Sequence, residues 1–227
     1  MVLLDILFPR HCLGCSKLGS YICLDCGKQL KYIEKDICIY CRRPSLYGLT
    51  HPRCKQRLGL DGVISLFYYN NFLKKVIKAI KYRLASTVWD DFQREIAPQS
   101  IARVLIYTSF IDNIVLCPIP LHPYRLKERG FNQAEIISNW LSTYLQTPVA
   151  HLLLRTIHTP PQAKIHDSQQ RHKNVHNIFT MKDGSVLFPG VILIDDVITT
   201  GSTILEATHI LKEAGVSKVY TITIARG

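Results

Sequence analysis

Two parts of the sequence hold residues whose types and spacing could do chemistry. The first is VILIDDVITTGST, residues 191–203, in which four apolar residues lead directly into Asp195 and Asp196. Adjacent carboxylates repel each other and are costly to remove from water, so such a pair at the end of a buried segment indicates a ligand. The second is a series of cysteines near the N-terminus, where seven of the eight cysteines precede residue 55.

The residues that follow the acidic pair suit a phosphate group. A helix is predicted to begin near Ser202 or Thr203, and a helix N-terminus offers free backbone N–H groups and the positive end of a dipole. The segment Thr203–Glu206 fits a capping box, and Gly215 fits a helix stop. Carboxylates only accept hydrogen bonds, so the acidic pair suits the hydroxyls of a ribose instead. The stretch therefore predicts a sugar-phosphate site whose phosphate lies on Thr199, Thr200, Gly201, Ser202 and Thr203.

The cysteines form paired knuckles with two residues between the members of each pair. Such a spacer lets both side chains reach one ion, and two knuckles complete a tetrahedral zinc shell. We predict two structural zinc sites in a region too short to be stable without metal. Sequential sites are favoured because the spacers are short, although an interleaved arrangement uses the same residues. The sequential sets are Cys12, Cys15, Cys23 and Cys26, then Cys38, Cys41, His51 and Cys54.

The elements that must position these residues alternate between strands and helices after about residue 60. The VILI run has no polar alternation, which is typical of a parallel sheet covered on both faces. We predict an α/β fold with a small zinc domain at 1–58 and a larger domain at 59–227. The predicted strands are 62–70, 113–120, 191–195 and 217–225, and the predicted helices are 72–84, 87–106 with a break at Pro98, 132–145 and 202–215.

Composition limits the class of protein and its partners. The hydrophobic content is 47%, which excludes a disordered chain, and no apolar run reaches the roughly 18 residues of a membrane span. We see no signal peptide and expect a cytoplasmic protein. The net charge of +11 favours phosphate-bearing partners, although a solvated basic surface would give the same number.

Two basic surfaces and one cysteine have alternative interpretations. Four lysines share one face of the predicted 72–84 helix, where they form either a solvated face or a track for a nucleic-acid backbone. Arginines beside the knuckles either contact nucleic acid or only support the second domain. Cys117 lies in an apolar strand and is interpreted as a buried small hydrophobe. The lysines are Lys74, Lys75, Lys78 and Lys81, and the arginines are Arg42, Arg43, Arg53 and Arg57.

The motifs together resemble a known family. VILIDDVITTGST resembles the phosphoribosyl pyrophosphate motif of type I phosphoribosyltransferases. The cysteine-rich front and three further stretches are similar to the ComF family of competence-associated proteins, over nearly the whole chain. One departure is His51, where the family commonly has a cysteine. The stretches are CPIPLHPYRLKERGFNQAE (117–135), RTIHTPPQAK (155–164) and QRHKNVHNIF (170–179).

The resemblance implies a double zinc ribbon joined to a type I phosphoribosyltransferase fold, which binds phosphoribosyl pyrophosphate with Mg²⁺. It implies that Asp195 and Asp196 bind the ribose hydroxyls and that the 199–203 loop binds the 5′-phosphate. The loop after Pro120 would bind pyrophosphate, with Arg129 as the favoured residue and Arg125 and Lys127 beside it. The segment 155–177 has the place of the flexible loop that closes such sites, with candidates Arg155, Gln162, Lys164 and Arg171.

Three functions stay open at this point. The first is a ComF-type phosphoribosyltransferase that acts in natural competence, with catalysis by Arg129, Asp195 and Asp196; transfer is a hypothesis, since no residue stands out as a general base. The second is a non-catalytic module that senses the same ligand and binds single-stranded DNA, alongside proteins of DNA uptake. The third is a salvage enzyme for a free nucleobase, in which the zinc ribbons serve only as support.

Overall fold

The computed structural model describes residues 9–82, 85–157 and 178–227. Within these ranges a sheet of four parallel strands forms the centre, and a short antiparallel hairpin lies beside it. The strands, in chain order, are β1 (Gly62–Tyr68), β2 (Ile114–Pro118), β3 (Leu153–Arg155), β4 (Phe179–Met181), β5 (Gly190–Ile198) and β6 (Lys218–Arg226). The hairpin is β3 with β4, and the predicted α/β fold with a parallel sheet is confirmed.

Helix α1 (Leu24–Gly27) precedes β1, and the other described helices lie in the connections between these strands. They are α2 (Asn71–Tyr82), α3 (Ala85–Arg94), α4 (Pro98–Val104), α5 (Pro123–Arg129), α6 (Gln133–Leu145) and α7 (Ser202–Glu213), with 3₁₀ turns at Leu46–Gly48, Pro52–Cys54 and Leu105–Ser109. In the described part of the chain, no helix is both long enough and apolar enough to cross a bilayer.

The order of the central sheet is β1-β6-β5-β2, and β5 and β6 lie inside it. Alternate residues of β5 enter two different apolar clusters, one on each face. Ile192 and Ile194 pack with Trp140 of α6, whereas Val191 and Leu193 pack with Leu211 of α7. The helices that follow β2 and β5 therefore cover opposite faces, and the carboxyl ends of these neighbouring strands form a switch point where such sheets bind ligands.

The N-terminal ribbon packs directly on this sheet. Its Lys31–Ile33 segment lies antiparallel to the outer strand β1: Ile33 N–H donates to Leu66 O over 2.9 Å, and Tyr68 N–H donates to Lys31 O over 2.8 Å. Cys12, Ile22, Cys26 and Leu30 belong to the same apolar cluster as α2 and α3. The ribbon and the sheet thus share one core, and the boundary at residue 58 stays a prediction.

Most of the predicted elements are confirmed, with three differences. The predicted 87–106 helix is divided into α3, α4 and a 3₁₀ turn, with Pro98 as the first residue of α4, where a proline costs nothing. Strand β5 continues to Ile198, beyond its predicted end at residue 195, because β6 pairs with it as far as Arg226. Helix α5 and the β3–β4 hairpin have no counterpart among the predictions.

Candidate functional site

The acidic pair lies on β5, beyond the point where the neighbouring strand β2 ends. The last pair of β2 with β5 joins Pro118 to Ile194, so Asp195 and Asp196 extend past the end of β2 while still paired with β6. Both residues are half-buried. The N–H of Asp196 donates to Oδ1 of Asp195 over 2.8 Å, which fixes the first carboxylate against the strand. The pair therefore lies at the carboxyl edge of the sheet, in the opening left where β2 ends and β5 continues.

The protonation of the pair depends strongly on its surroundings. Burial, and then the charge of Asp196, raises the pKa of Asp195 to about 7. The hydrogen bond from the Asp196 N–H and the charges of Lys81 and Arg155 act in the opposite direction. Asp195 therefore titrates near neutral pH in the free protein, and a ligand with hydroxyl donors or a cation would favour its ionised form.

Lys81 of α2 forms an ion pair with Asp196. Its Nζ lies 2.5 Å from Oδ2 of Asp196, and both side chains are mostly buried. Both interpretations of the four lysines, as a solvated face or as a nucleic-acid track, require exposed side chains, and Lys81 fits neither because the last turn of α2 brings it to Asp196. Lys74, Lys75 and Lys78 are exposed, as both interpretations require.

The hydroxyl-rich loop joins the acidic strand to α7. Gly201 is the N-cap of α7 and has a φ of 83°, a left-handed conformation that glycine adopts without strain. The hydroxyls of Thr200 and Ser202 lie 2.9 Å apart. Ser202 is the first residue of α7, and Thr200 directly precedes its N-cap. Thr199 and Thr203 flank them, so the structure brings all five predicted loop residues to one helix N-terminus.

The predicted capping box at this helix is wrong. It requires Thr203 as the N-cap, but the helix already begins at Ser202 and its N-cap is Gly201, which has no side chain. The helix start near Ser202 and the stop at Gly215 are confirmed. Gly215 has a φ of 105°, and the Gly215 and Val216 N–H groups donate to Lys212 O and Leu211 O in a Schellman motif.

The basic residues after Pro120 lie on a helix rather than in the predicted loop. His122 is the N-cap of α5, where its Nδ1 accepts from the Tyr124 N–H over 3.2 Å, and Gly130 ends the helix with a φ of 80°. Arg125 and Arg129 are one turn apart and half-buried, whereas Lys127 is exposed between them. The structure thus groups the two arginines on one face and separates Lys127 from them.

The RGFNQ stretch fixes Arg129 through the next helix. Nη1 of Arg129 donates to Oε1 of the buried Gln133 over 2.8 Å. Asn132 is the N-cap of α6, and its Nδ2 also donates to Ile119 O over 2.9 Å, which attaches this helix start to the end of β2. Asn132 and Gln133 are therefore positioning residues that sequence reasoning did not single out, although the motif RGFNQ contains them.

Arg155 is the one named candidate of the predicted 155–177 loop that the structure describes. It ends strand β3 and its guanidinium lies 5.7 Å from the centre of the Phe179 ring, so it belongs to the hairpin and not to a loop. Burial, and then the charge of Arg125, lowers the pKa of Arg155, while Asp195 raises it. Arg155 therefore lies close enough to both Arg125 and Asp195 for their charges to act on it. Gln162, Lys164 and Arg171 lie outside the described residues.

An apolar crevice reaches Asp196 from between α2 and α6. Its volume is about 10 Å³, and Ile77, Ile80 and Ile137 are among the side chains that line it. This is roughly the space of one water molecule. A crevice of this size is too small for a nucleobase.

The cysteines form two ligand sets near the N-terminus, and the sequential pairing is confirmed. Cys12, Cys15, Cys23 and Cys26 form one set, and Cys38, Cys41, His51 and Cys54 form the other, with the ligand atoms of each set within 4.8 Å of one another. The Cys15 and Cys23 sulfurs are 3.7 Å apart, close to the roughly 3.8 Å that two sulfurs span across a tetrahedral zinc with bonds of about 2.3 Å. Both donor sets therefore fit a structural zinc ion.

His51 is oriented as a zinc ligand in place of a cysteine. Its Nε2 lies 3.1 Å from Pro44 O, so Nε2 carries the hydrogen and donates it to that carbonyl. Its Nδ1, left with a free lone pair, lies 3.3 Å from the Cys41 sulfur. A backbone carbonyl that fixes the second nitrogen is the usual support of a metal-binding histidine. Cys117 is fully buried, which raises its pKa to about 11, so it is not a nucleophile.

Comparison with known proteins identifies the family. Residues 3–56 match the double zinc ribbon domain, and residues 147–227 match the phosphoribosyl transferase domain. Competence protein ComFC of Bacillus subtilis is 30% identical over 218 residues, which cover 92% of this chain and 86% of that protein. The chain belongs to the ComF family of competence-associated proteins.

Other relatives of this ComF-family chain carry related names. Competence protein F of Haemophilus influenzae is 29% identical over 231 residues, which cover 95% of each chain. DNA utilization protein YhgH of Escherichia coli K12 is 27% identical over 214 residues, which cover 92% of each. Both domains of the ComF resemblance are thus confirmed, and the predicted phosphate loop lies inside the phosphoribosyl transferase match.

Proposed function

We propose that this chain binds phosphoribosyl pyrophosphate with Mg²⁺ at the β2–β5 opening and acts in natural competence. The observation that carries the proposal is the order of groups along β5 and α7. Two carboxylates, then two apolar residues, then a hydroxyl-rich loop at a helix N-terminus follow one another at the carboxyl edge of the sheet. A sugar with hydroxyls at one end and a phosphate at the other matches this order.

Each part of the ligand has a matching group. Asp195 and Asp196 accept hydrogen bonds from the ribose hydroxyls, and Thr199 to Thr203 bind the 5′-phosphate with the first backbone N–H groups of α7. Arg125 and Arg129 share one face of α5 and supply positive charge for the pyrophosphate. Lys127 is exposed between them and contributes at longer range.

Magnesium has a suitable set of oxygen donors in this arrangement. The acidic pair offers carboxylate oxygens, and Mg²⁺ prefers oxygen ligands together with substrate phosphates. When bound, the ion neutralises pyrophosphate charge. The residues of the chain hold the ligand: the carboxylates orient the ribose, the loop fixes the phosphate, and the arginines attract the leaving group.

The reaction class that fits is phosphoribosyl transfer, in which the bond from ribose C1 to pyrophosphate breaks and an acceptor takes the C1 position. Positive charge develops on the ribose as pyrophosphate leaves, and the nearby carboxylates stabilise that charge. We assign Arg129, Asp195 and Asp196 to this step. An acceptor-dependent release of pyrophosphate separates the enzyme from a protein that only senses the ligand, and activity with a free base would favour nucleobase salvage.

The biological role is inferred from the relatives. Two of them are named competence proteins and one a DNA utilization protein, and the chain matches nearly their whole length. We propose the same role for this chain, together with proteins of DNA uptake. Both zinc sets need reduced thiolates, which favours a location in the cytoplasm.

A thermal-shift experiment tests the ligand proposal. Phosphoribosyl pyrophosphate with Mg²⁺ at about 100 times the Kd should stabilise the protein by about 2.7 kcal/mol, which is a rise of several degrees in Tm. The double variant Asp195→Asn with Asp196→Asn should lose this rise. A matched control is Asp183→Asn, which alters an exposed aspartate before β5. If the Tm of the wild-type protein does not change when phosphoribosyl pyrophosphate and Mg²⁺ are added, the proposed ligand is refuted.

Binding of single-stranded DNA is a second candidate function, favoured by exposed groups on α5 and α2. Tyr124 and Leu126 are 65% and 42% exposed beside Arg125 and Lys127, an arrangement in which bases can stack while cations contact phosphates. Lys74, Lys75 and Lys78 form a second exposed basic surface. Binding that weakens with salt and with Lys74→Glu plus Lys78→Glu would support this role for α2, and Tyr124→Ala tests α5.

A further inference from the structure

We propose that Ile39, inside the third cysteine knuckle, positions the phosphate loop and thereby couples the second zinc site to ligand binding. This inference rests on the proposed function, since it takes the 199–203 loop as the phosphate site. Ile39 is 6% exposed and belongs to the apolar cluster that contains Ile198 and Ile204. Its side chain therefore lies in one apolar cluster with residues at both ends of the loop and is not confined to the ribbon.

The contact is closest at the residue that turns the loop. A Cβ placed on Gly201 would lie 3.2 Å from Cδ1 of Ile39, so the knuckle presses against the backbone where it has its left-handed φ. The loop has a second support on its other side, because the Gly227 N–H donates to Ile198 O over 3.0 Å. The loop is thus held between the zinc knuckle and the end of the chain.

The knuckle itself is rigid enough to act as a support. The Cys38 N–H donates to Arg43 O and the Arg42 N–H donates to Cys38 O, each over 2.9 Å, which is the tight turn of a zinc ribbon. The neighbouring Tyr40 accepts the Leu60 N–H over 2.9 Å at its hydroxyl. Zinc on Cys38 and Cys41 would fix the two ends of the knuckle, and Ile39 lies between them.

The second knuckle provides an internal comparison. Leu24 has the same position between Cys23 and Cys26 as Ile39 has between Cys38 and Cys41, yet Leu24 is 84% exposed. A zinc knuckle does not need a buried residue at this position to bind metal. Burial of Ile39 therefore comes from its packing in the cluster that also contains Ile198 and Ile204, and not from the zinc site.

This packing links two sites that are separate in the sequence. A loop that holds a phosphate works only within a fraction of an ångström of its bound position, because hydroxyl and N–H donors are directional. A support that exists only when the knuckle is folded makes zinc binding and phosphate binding favour each other, and such coupling is reciprocal. Ile39 is a positioning residue in this scheme, since it acts through Gly201.

The test compares Ile39→Ala with Leu24→Ala in the zinc-loaded full chain. Both variants should retain two zinc ions per chain by metal analysis, because neither removes a ligand. We expect Ile39→Ala to bind phosphoribosyl pyrophosphate with Mg²⁺ about tenfold more weakly, since small displacements of binding groups have effects of this order or larger. Leu24→Ala should bind as the wild type does, and Ile39→Val should restore most of the affinity.

Amide hydrogen exchange gives a readout that needs no ligand. Exchange of residues 198–203 should become faster in Ile39→Ala, while exchange in β6 stays slow and shows that the whole protein has not unfolded. Unchanged exchange in the loop would overturn the inference whatever the ligand does. If exchange is faster in Ile39→Ala but the wild-type protein binds no phosphoribosyl pyrophosphate, the proposed ligand is overturned. The positioning of the loop by Ile39 would then still stand.

Discussion

Nζ of Lys81 lies 2.5 Å from Oδ2 of Asp196, so the acidic pair of β5 has a counter-ion supplied by the chain itself. The two residues come from α2 and β5, elements on which the sequence suggests unrelated roles. The positive charge of Lys81 balances the negative charge of Asp196 in the free protein. The net charge of the two aspartates and this lysine is therefore smaller than that of the carboxylate pair alone. Any ribose or metal that binds Asp196 must share this carboxylate with Lys81 or displace Lys81 from it.

Replacing Lys81 should destabilise the free protein. Lys81→Met leaves Asp196 as a mostly buried carboxylate without its cation, which should lower the free energy of unfolding by about 1–3 kcal/mol at pH 7.5. The loss should be smaller at pH 5, where Asp195, with its pKa raised to about 7, is mostly protonated and no longer repels Asp196. Urea unfolding at both pH values measures it.

Lys78→Met is the matched control, because Lys78 lies one turn earlier on α2 and is exposed. It should change the stability by less than about 0.5 kcal/mol. Equal effects of Lys78→Met and Lys81→Met would contradict the counter-ion role.

The pH dependence of stability should report Asp195. Its pKa is raised to about 7 in the folded protein, against about 3.9 for a free aspartate. The folded state then binds more protons than the unfolded state between these values, so this residue stabilises the protein fully below about pH 4 and loses that contribution as the pH rises through about 7.

Asp195→Asn does not titrate and should remove this loss. The variant should gain stability relative to the wild type between pH 5 and pH 8, measured by urea unfolding in buffers of equal ionic strength. Parallel curves for the two proteins across this range would show that Asp195 has no raised pKa.

Gly201 should tolerate substitution poorly for two separable reasons. Alanine at a φ of 83° costs about 1–2 kcal/mol, and its Cβ would also press on Ile39 at 3.2 Å. Gly184→Ala has a similar φ of 72° with no atom within 4 Å of the new Cβ, so it measures the backbone cost alone. We expect Gly201→Ala to lose more stability than Gly184→Ala in thermal unfolding; equal losses would argue against close packing at the loop.

The zinc stoichiometry should be two ions per chain. His51→Cys should retain both, since zinc accepts either ligand, whereas His51→Ala should weaken the second site at least about tenfold. Metal analysis after dialysis against a weak chelator distinguishes these outcomes. A wild-type protein with fewer than two ions would refute the double ribbon.

The features that the sequence predicts well are local. The four knuckles carry their ligand spacing within a few residues, and the VILI strand, its acidic pair and the loop before α7 are contiguous. The sequence places Lys81 among the lysines of one helix face but does not indicate its contact with Asp196, because that contact depends on the direction in which α2 runs toward β5. The predicted capping box is wrong because Gly201, in a left-handed conformation, is the N-cap and the helix begins at Ser202, before Thr203.

Short elements account for most of the remaining differences. Helix α5 has seven residues and the hairpin strands have three each, which is too few for a hydrophobic period to emerge. Arg155 therefore carried no signal that it lies on a strand. The pairing of Arg129 with Gln133 is different: the two residues are four apart, but they belong to successive helices joined by the turn at Gly130.

The antiparallel contact between Lys31–Ile33 and β1 has a consequence for how the protein can be handled. A chain trimmed to residues 59–227 would keep the phosphate loop but expose the outer edge of β1, a row of unpaired amides and carbonyls flanked by Leu66 and Phe67. Such an edge templates self-association between copies. Insolubility of the isolated phosphoribosyl transferase part would then reflect an uncapped sheet edge, and a preparation of it that binds no ligand would say nothing about the function of the full chain.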